Sequence, residues 1–221
     1  MNNKSTFANR YISAALTIAK VATFAIVLLT TGFSVAMHNR PAPLAMDAIR
    51  ADKALLAAVA RGDVAYVENW LQGGGDPNYD KCGGKTLLWH AVGAGQGCMV
   101  DFLLRVGANP ACKDDLDVTP LHLAVQDGRT DLVRMLLATG QVGLNCRGGV
   151  LRATPLHFAA AQGNEEVIHE LLCAGADVAC VDVSGQTARD VAVAARAYLG
   201  CYPPNHRKNM VYDGVIRELS A

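Results

Sequence analysis

The stretch Thr119-Pro120-Leu121-His122-Leu123-Ala124 returns 35 residues later as Thr154-Pro155-Leu156-His157-Phe158-Ala159. A phrase that recurs with a period of about 33 residues is the signature of stacked structural repeats. Threonine can cap the first turn of a helix, and proline fits the first helical position because its missing N–H would have no intrahelical partner there. The two copies therefore predict helix starts at equivalent places in neighbouring units of a solenoid.

Three weaker copies continue the pattern in the same frame. They are Lys53–Ala58, Thr86–Ala91 and Thr187–Ala192, each 33 residues from its neighbour. In four of the five copies a glycine comes nine residues after the lead position, followed by apolar residues at helical spacing. Each unit is therefore predicted to be helix, short turn, helix and extended loop. The predicted units lie near residues 51–83, 84–116, 117–151, 152–184 and 185–221.

These motifs resemble the ankyrin repeat family, from about residue 51 to the C-terminus. The resemblance implies an all-α ankyrin-repeat solenoid of about five helix-turn-helix units with a protein-binding role. It also implies that His122 and His157 tie neighbouring turns together by hydrogen bonds. The chain departs from the family pattern at Trp89, which replaces the histidine, and at Lys53, which suits a terminal cap.

A separate apolar segment precedes the repeats. Residues 21–37 carry no charge, and residues 1–36 contain three basic residues and no acidic one. One interpretation is an uncleaved N-terminal hydrophobic helix, residues 1–37, that anchors the chain in a membrane. The other is a signal peptide cleaved near Ala36. The length of the segment favours the anchor, because the apolar part of a signal peptide is usually about 7–15 residues long.

The segment also predicts a location. Its basic N-terminus favours a single-pass membrane protein with the repeats outside the cytoplasm, in the periplasm if the source is bacterial. The alternative is secretion after cleavage. Residues 38–50, which include Pro41 and Pro43, are interpreted as a short stiff linker.

Charge gives no indication of a nucleic-acid partner. The chain holds 20 basic and 20 acidic residues, and removing residues 1–36 leaves 17 basic residues against 20 acidic ones. Proteins that neutralise many phosphates carry an excess of lysine and arginine. We therefore predict no nucleic-acid binding.

Geometry limits disulfide formation among the seven cysteines. Cys112, Cys146 and Cys180 occupy equivalent places in successive units. Packed helices lie about 8–10 Å apart, whereas a disulfide needs Cα atoms within about 7 Å. Cys98 and Cys201 are also predicted to be free thiols. The favoured interpretation is that the cysteines are small buried residues of the stack.

Neither a metal site nor a catalytic site is predicted. His169 and Cys173 are four residues apart on one helix, but two ligands do not make a zinc site. The sequence contains no phosphate-binding loop, no Gly-x-Ser-x-Gly and no His-Glu-x-x-His. We therefore expect no cofactor and no enzymatic activity.

The partner-binding residues are predicted to lie at the loop tips and at the exposed ends of the first helices. They are Lys81, Lys85, Lys113, Asp114, Asp115, Leu116, Gln126, Asp127, Arg147, Val150, Leu151, Arg152 and Gln162. The tip at 145–153 is two residues longer than the others and presents Val150 and Leu151 between two arginines. Two interpretations stay open for this apolar pair: an interface hot spot, or packing against the neighbouring tip.

The leading functional interpretation is a non-enzymatic protein–protein interaction module, a scaffold or an inhibitor, displayed outside the cytoplasm on the membrane anchor. Its partner would be a protein, held on a preformed surface. The alternative is a thiol-based protein that handles metal, haem or oxidative stress, which reactive exposed thiols would support.

Overall fold

The computed structural model describes residues 43–80, 83–198 and 207–220. The compact unit that carries the repeats runs from Asp47 to Ala221, and the other unit, Met1–Met46, is described only at residues 43–46, which are helical. Helices in the described ranges are α1 Pro43–Arg61, α2 Val64–Gln72, α3 Leu87–Gly93, α4 Gly97–Arg105, α5 Pro120–Gln126, α6 Thr130–Ala138, α7 Pro155–Gln162, α8 Glu165–Cys173, α9 Ala188–Tyr198 and α10 Arg207–Glu218.

The predicted location, as a single-pass membrane protein, is wrong. None of the described helices is both long and apolar enough to cross a membrane. The longest, α1, begins inside the range 38–50 that was interpreted as a linker, and its sequence is interrupted by Asp47, Arg50 and Lys53. The proposed anchor or signal peptide itself, residues 1–37, lies outside the described residues.

Two layers of helices build the compact unit that carries the repeats. Helices α3, α5, α7 and α9 pack against one another in chain order, and α2, α4, α6, α8 and α10 do the same in the second layer. Each unit thus adds one helix to each layer. The all-α class predicted from the sequence is confirmed, because the described residues form isolated bridges but no strand.

The helices begin and end where their residue types predict. Thr119 caps α5 by accepting a hydrogen bond from the His122 N–H, and Thr86 caps α3 in the same way through Trp89. Pro120 and Pro155 occupy first helical positions. At the end of α7, Gly163 takes a left-handed conformation with φ of 67°, which costs a residue without a Cβ little.

One continuous apolar cluster lies between the layers. Leu121, Leu136 and Leu156 are almost completely buried, and the cluster extends from Leu55 in α1 to Leu219 beyond α10. Each unit therefore shares its core with its neighbours, which makes stability depend on nearest-neighbour contacts.

Candidate partner-binding surface

Short hairpin tips project from the helices between successive units. Antiparallel bridges close three of them, at Asp80 with Thr86, Gly148 with Ala153 and Val181 with Thr187. The Gly148 N–H donates to the Ala153 carbonyl over 3.0 Å, and the Ala153 N–H returns the bond over 3.1 Å. The extended loops predicted from the sequence are thus ordered hairpins.

Neighbouring tips are joined by main-chain hydrogen bonds. The Asp115 N–H donates to the Gly83 carbonyl over 3.1 Å, and the Gly149 N–H donates to the Leu116 carbonyl over 2.7 Å. The Val183 N–H donates to the Leu151 carbonyl over 3.0 Å. Four consecutive tips therefore form one continuous edge, held by the backbone.

This edge carries three exposed apolar side chains, which we call the tip ridge: Leu116, Val150 and Val183. Their exposed fractions are 56%, 77% and 64%. Each residue belongs to a different, consecutive tip. Exposed apolar side chains on consecutive tips of one edge are candidates for an interaction site, because apolar patches mark such sites more often than scattered single residues do.

The two apolar residues of the long tip separate. Val150 points into solvent, whereas Leu151 is half-buried and its carbonyl receives the next tip. The two members of the pair thus differ in exposure, and the choice between an interface role and packing stays a prediction. The two extra residues of this tip place Val150 further out than any other large apolar side chain of the described residues.

Two exposed arginines stand beside Val150. Arg147 and Arg152 form no ion pair with other described residues. Arg152 has a positive φ of 46°, which L-residues rarely adopt. Unpaired guanidinium groups next to an exposed apolar side chain are suited to contact carboxylates around an apolar surface.

The charged residues of the neighbouring tip, unlike the two arginines, form contacts within the chain. The Asp114 carboxylate accepts hydrogen bonds from the Leu116 and Val118 N–H groups at 2.9 and 2.8 Å, so it shapes its own turn. Lys113 is 3.8 Å from the Asp117 carboxylate. Asp115 is exposed, and its backbone joins the previous tip.

The first tip contributes less. Lys85 is exposed, with its ammonium 5.1 Å from the centre of the Trp89 ring. That contact is a cation–π interaction. Lys81 lies outside the described residues, so its predicted role stays a prediction.

The predicted helix-end residues Gln126, Asp127 and Gln162 are outside the tip sequences, and the two glutamines link successive units. The Gln162 side-chain amide donates to the Gln126 carbonyl across one unit boundary. Asp127 is exposed on the same turn, and partial burial raises the pKa of its carboxyl group. The two glutamines therefore join successive units, and their binding role stays a prediction.

His122 and His157 connect units as the family resemblance implies. Their Nδ1 atoms lie 2.8 Å from the hydroxyls of Thr119 and Thr154, and their Nε2 atoms donate to carbonyls of the next tip, at 3.2 Å for His122 and 2.9 Å for His157. Burial lowers the pKa of the His122 imidazole. Trp89 has no such link, because its buried Nε1 has no hydrogen-bond partner in the described part of the chain.

The cysteines are less buried than predicted. Cys98 and Cys173 are exposed, and Cys112, Cys146 and Cys180 are half-buried; all five are free. Burial raises the pKa of the Cys112 thiol, whose sulfur is 3.1 Å from the Thr86 hydroxyl. The expectation of small buried residues fails because these positions lie in the loops or at helix ends, outside the apolar cluster. Cys82 and Cys201 lie outside the described residues.

Comparison with known proteins agrees with this architecture. A family model described as ankyrin repeats in three copies matches residues 55–147 and 94–182, more than half of the chain. Cyclin-dependent kinase 4 inhibitor B of Rattus norvegicus is 34% identical over 91 residues, which are 40% of this chain and 68% of that protein. Its Homo sapiens counterpart is 33% identical over 91 residues, 40% of this chain and 64% of that protein.

Similarity to an enzyme is confined to a small part of that enzyme. L-asparaginase of Dirofilaria immitis is 31% identical over 97 residues, which are 44% of this chain and 16% of the asparaginase. The family resemblance read from Thr-Pro-Leu-His-x-Ala is thus confirmed by the family match and by two inhibitors of which this chain covers about two thirds. The chain belongs to the ankyrin repeat family.

Proposed function

We propose that this chain is a non-enzymatic protein-binding module that captures its partner on the tip ridge. Ankyrin repeats generally serve protein–protein interaction. The observation that carries the proposal is the exposure of Leu116, Val150 and Val183 on three consecutive tips that are joined by backbone hydrogen bonds. Because these tips are already ordered, little conformational entropy is lost when a partner binds.

The charges beside the ridge suggest the chemistry of the partner. Arg147 and Arg152 frame Val150 and are unpaired among the described residues. A protein surface with an apolar centre and a carboxylate rim would complement them, since hot spots combine apolar anchors with charged groups at their edge. The predicted loop-tip residues Lys85 and Lys113 add basic charge on the preceding tips.

An inhibitor or scaffold role fits this mode of binding. Two similar proteins are inhibitors of cyclin-dependent kinase 4 by name. A rigid ridge acts by occupying a surface of its partner and needs no reactive group. The same ridge could hold a partner in place without blocking it, so the inhibitor and the scaffold differ only in which partner surface is covered.

A pair of matched variants tests the proposal. The full chain and its Val150→Asp and Val106→Asp variants would be immobilised and cross-linked to proteins from the source organism, with captured proteins quantified by mass spectrometry. Val106 is 39% exposed, directly follows α4 and is not part of the tip ridge. We expect Val150→Asp to lose at least about tenfold of one specific partner, because a charge replaces an anchor. Equal capture by both variants contradicts the tip ridge as the binding site.

A further inference from the structure

Three chemically active side chains contact one another in series where α8 packs against α10. Cys173 and His169 are one turn apart on α8, and Glu218 comes from α10. The Cys173 sulfur lies 3.5 Å from Nε2 of His169, and Nδ1 of the same ring lies 2.9 Å from a Glu218 carboxylate oxygen.

The order of these contacts fixes the tautomer of the ring. A carboxylate accepts hydrogen bonds, so the proton of the neutral imidazole is on Nδ1 and points to Glu218. Nε2 then presents its lone pair to the Cys173 S–H. A nucleophile that faces a base, with the base oriented by a third group, is the arrangement that activates thiols for covalent chemistry.

The same geometry argues against a metal site. The sulfur and the carboxylate contact opposite nitrogens of the His169 ring. A single ion cannot lie between one imidazole and two groups that occupy its opposite edges. The three residues therefore suit proton transfer along the line, and the sequence-level impression of two isolated ligands changes once Glu218 is included.

Access distinguishes Cys173 from other thiols. Cys173 is exposed, and the side chain of His169 is 67% exposed while that of Glu218 is 22% exposed. Cys98 is also exposed, but among the five described cysteines only Cys173 has its sulfur within hydrogen-bonding distance of an imidazole. The site is open, so a small disulfide can reach the sulfur without an enclosing pocket.

We propose that Cys173 is a site of reversible S-thiolation, which forms a mixed disulfide with small disulfides R–S–S–R. The Cys173 sulfur attacks one sulfur of the reagent, the reagent S–S bond breaks, and a new S–S bond forms. His169 Nε2 takes the thiol proton and gives it to the departing thiolate, which leaves as R–SH. One reagent sulfur is reduced to a thiol and the Cys173 sulfur is oxidised to the disulfide level, while the other reagent sulfur stays at that level. One S–S bond is present before and after, so the step is balanced.

The position of Cys173 determines when the proton moves. Cys173 is the last residue of α8. The helix dipole disfavours an anion at this end and favours a cation. The thiolate that attacks is therefore formed by transfer of its proton to His169, whose imidazolium is stabilised by Glu218 and by the helix end. Glu218 is a positioning residue that acts through His169.

Cystamine is the probe for the first experiment. The full chain is incubated with cystamine, quenched with acid and digested, and the adduct at each of the seven cysteines is quantified over time by mass spectrometry. Cys98 provides the internal reference rate. We expect Cys173 to react fastest of the described thiols. His169→Gln should slow the reaction of Cys173 about tenfold and leave the rate of Cys98 unchanged. A positioned base typically increases a reaction rate by a factor of about 10²–10⁴, and we expect a smaller factor at this open site. Equal Cys173 rates in both proteins overturn the proposal.

Two further readouts separate chemistry from structure. The His169→Gly variant should regain most of its Cys173 rate when imidazole is added, and failure of this rescue overturns the role of His169 as a base. Glu218→Gln should slow Cys173 and shift the ¹⁵N signals of His169 away from the Nδ1–H tautomer, whereas Glu218→Asp should keep both. Unchanged ¹⁵N signals in Glu218→Gln overturn the positioning role of Glu218.

Discussion

The buried His122 should make the stability of the stack depend on pH. Burial lowers the pKa of its imidazole below the ordinary value of 6.5. Above pH 6.5 the residue is neutral in both the folded and the unfolded chain, so it contributes its full stabilisation. Below pH 6.5 the unfolded chain takes up a proton that the folded chain accepts only at its lower pKa. The free energy of unfolding must therefore fall on acidification.

The structure sets the size of the effect. The imidazole contacts Thr119 through Nδ1 and the Ala153 carbonyl through Nε2, and its side chain is 1% exposed. At about pH 7.5, His122→Gln should cost about 2–4 kcal/mol, because these bonds are buried. At about pH 5.5 the free energy of unfolding of the wild-type chain should be up to about 1.4 kcal/mol lower than at neutral pH because of His122 alone. The difference between the two proteins should shrink by that amount.

Urea unfolding of the full chain, followed by circular dichroism from about pH 7.5 to about pH 5.5, measures this difference. His90→Gln is the companion variant, because burial and nearby Lys85 also lower the pKa of His90. Each variant should show a shallower dependence on pH than the wild type. Parallel curves for wild type and His122→Gln would refute the link between the buried imidazole and the pH dependence.

Two other predictions concern backbone fit and thiol access. Gly84→Ala should lower the melting temperature far more than Gly149→Ala, although both glycines have φ above 70°, because a Cβ at Gly84 would lie 1.7 Å from the Lys113 carbonyl oxygen and one at Gly149 would meet nothing within 4 Å. Similar losses in calorimetry would show that the tips can move apart. Iodoacetamide should label Cys98 faster than Cys112 at neutral pH, because burial raises the pKa of the half-buried Cys112 thiol. Mass spectrometry at early times decides, and equal labelling would mean that the tip opens readily.

The helix starts could be predicted because the residues that specify them are adjacent in the sequence. Thr119 and Pro120 specify a helix start within a few residues, and the repeat transfers that information to Thr154 and Pro155. Such features need no knowledge of distant residues.

Side-chain surroundings were harder to predict, because they depend on neighbouring units. The sequence left open whether Val150 and Leu151 face solvent or pack, and their different exposure, 77% for Val150 and half-buried for Leu151, could not be read from it. Cys173 and His169 could be paired from their spacing on a helix, but Glu218 lies 49 residues from His169 in the chain and meets it only through the packing of α10 on α8. The N-terminal segment was assigned from composition alone, which carries no tertiary information.

The main-chain bonds between tips have a consequence for how binding specificity can change. They join the N–H groups of Asp115, Gly149 and Val183 to carbonyl groups, so the attachment of one tip to the next does not use the outward side chains. Leu116 and Val150 can then be exchanged for other residues while the edge keeps its form. If the tip ridge binds the partner as proposed, recognition and folding use different atoms, and a new partner could be selected by replacing a few tip residues on an unchanged frame.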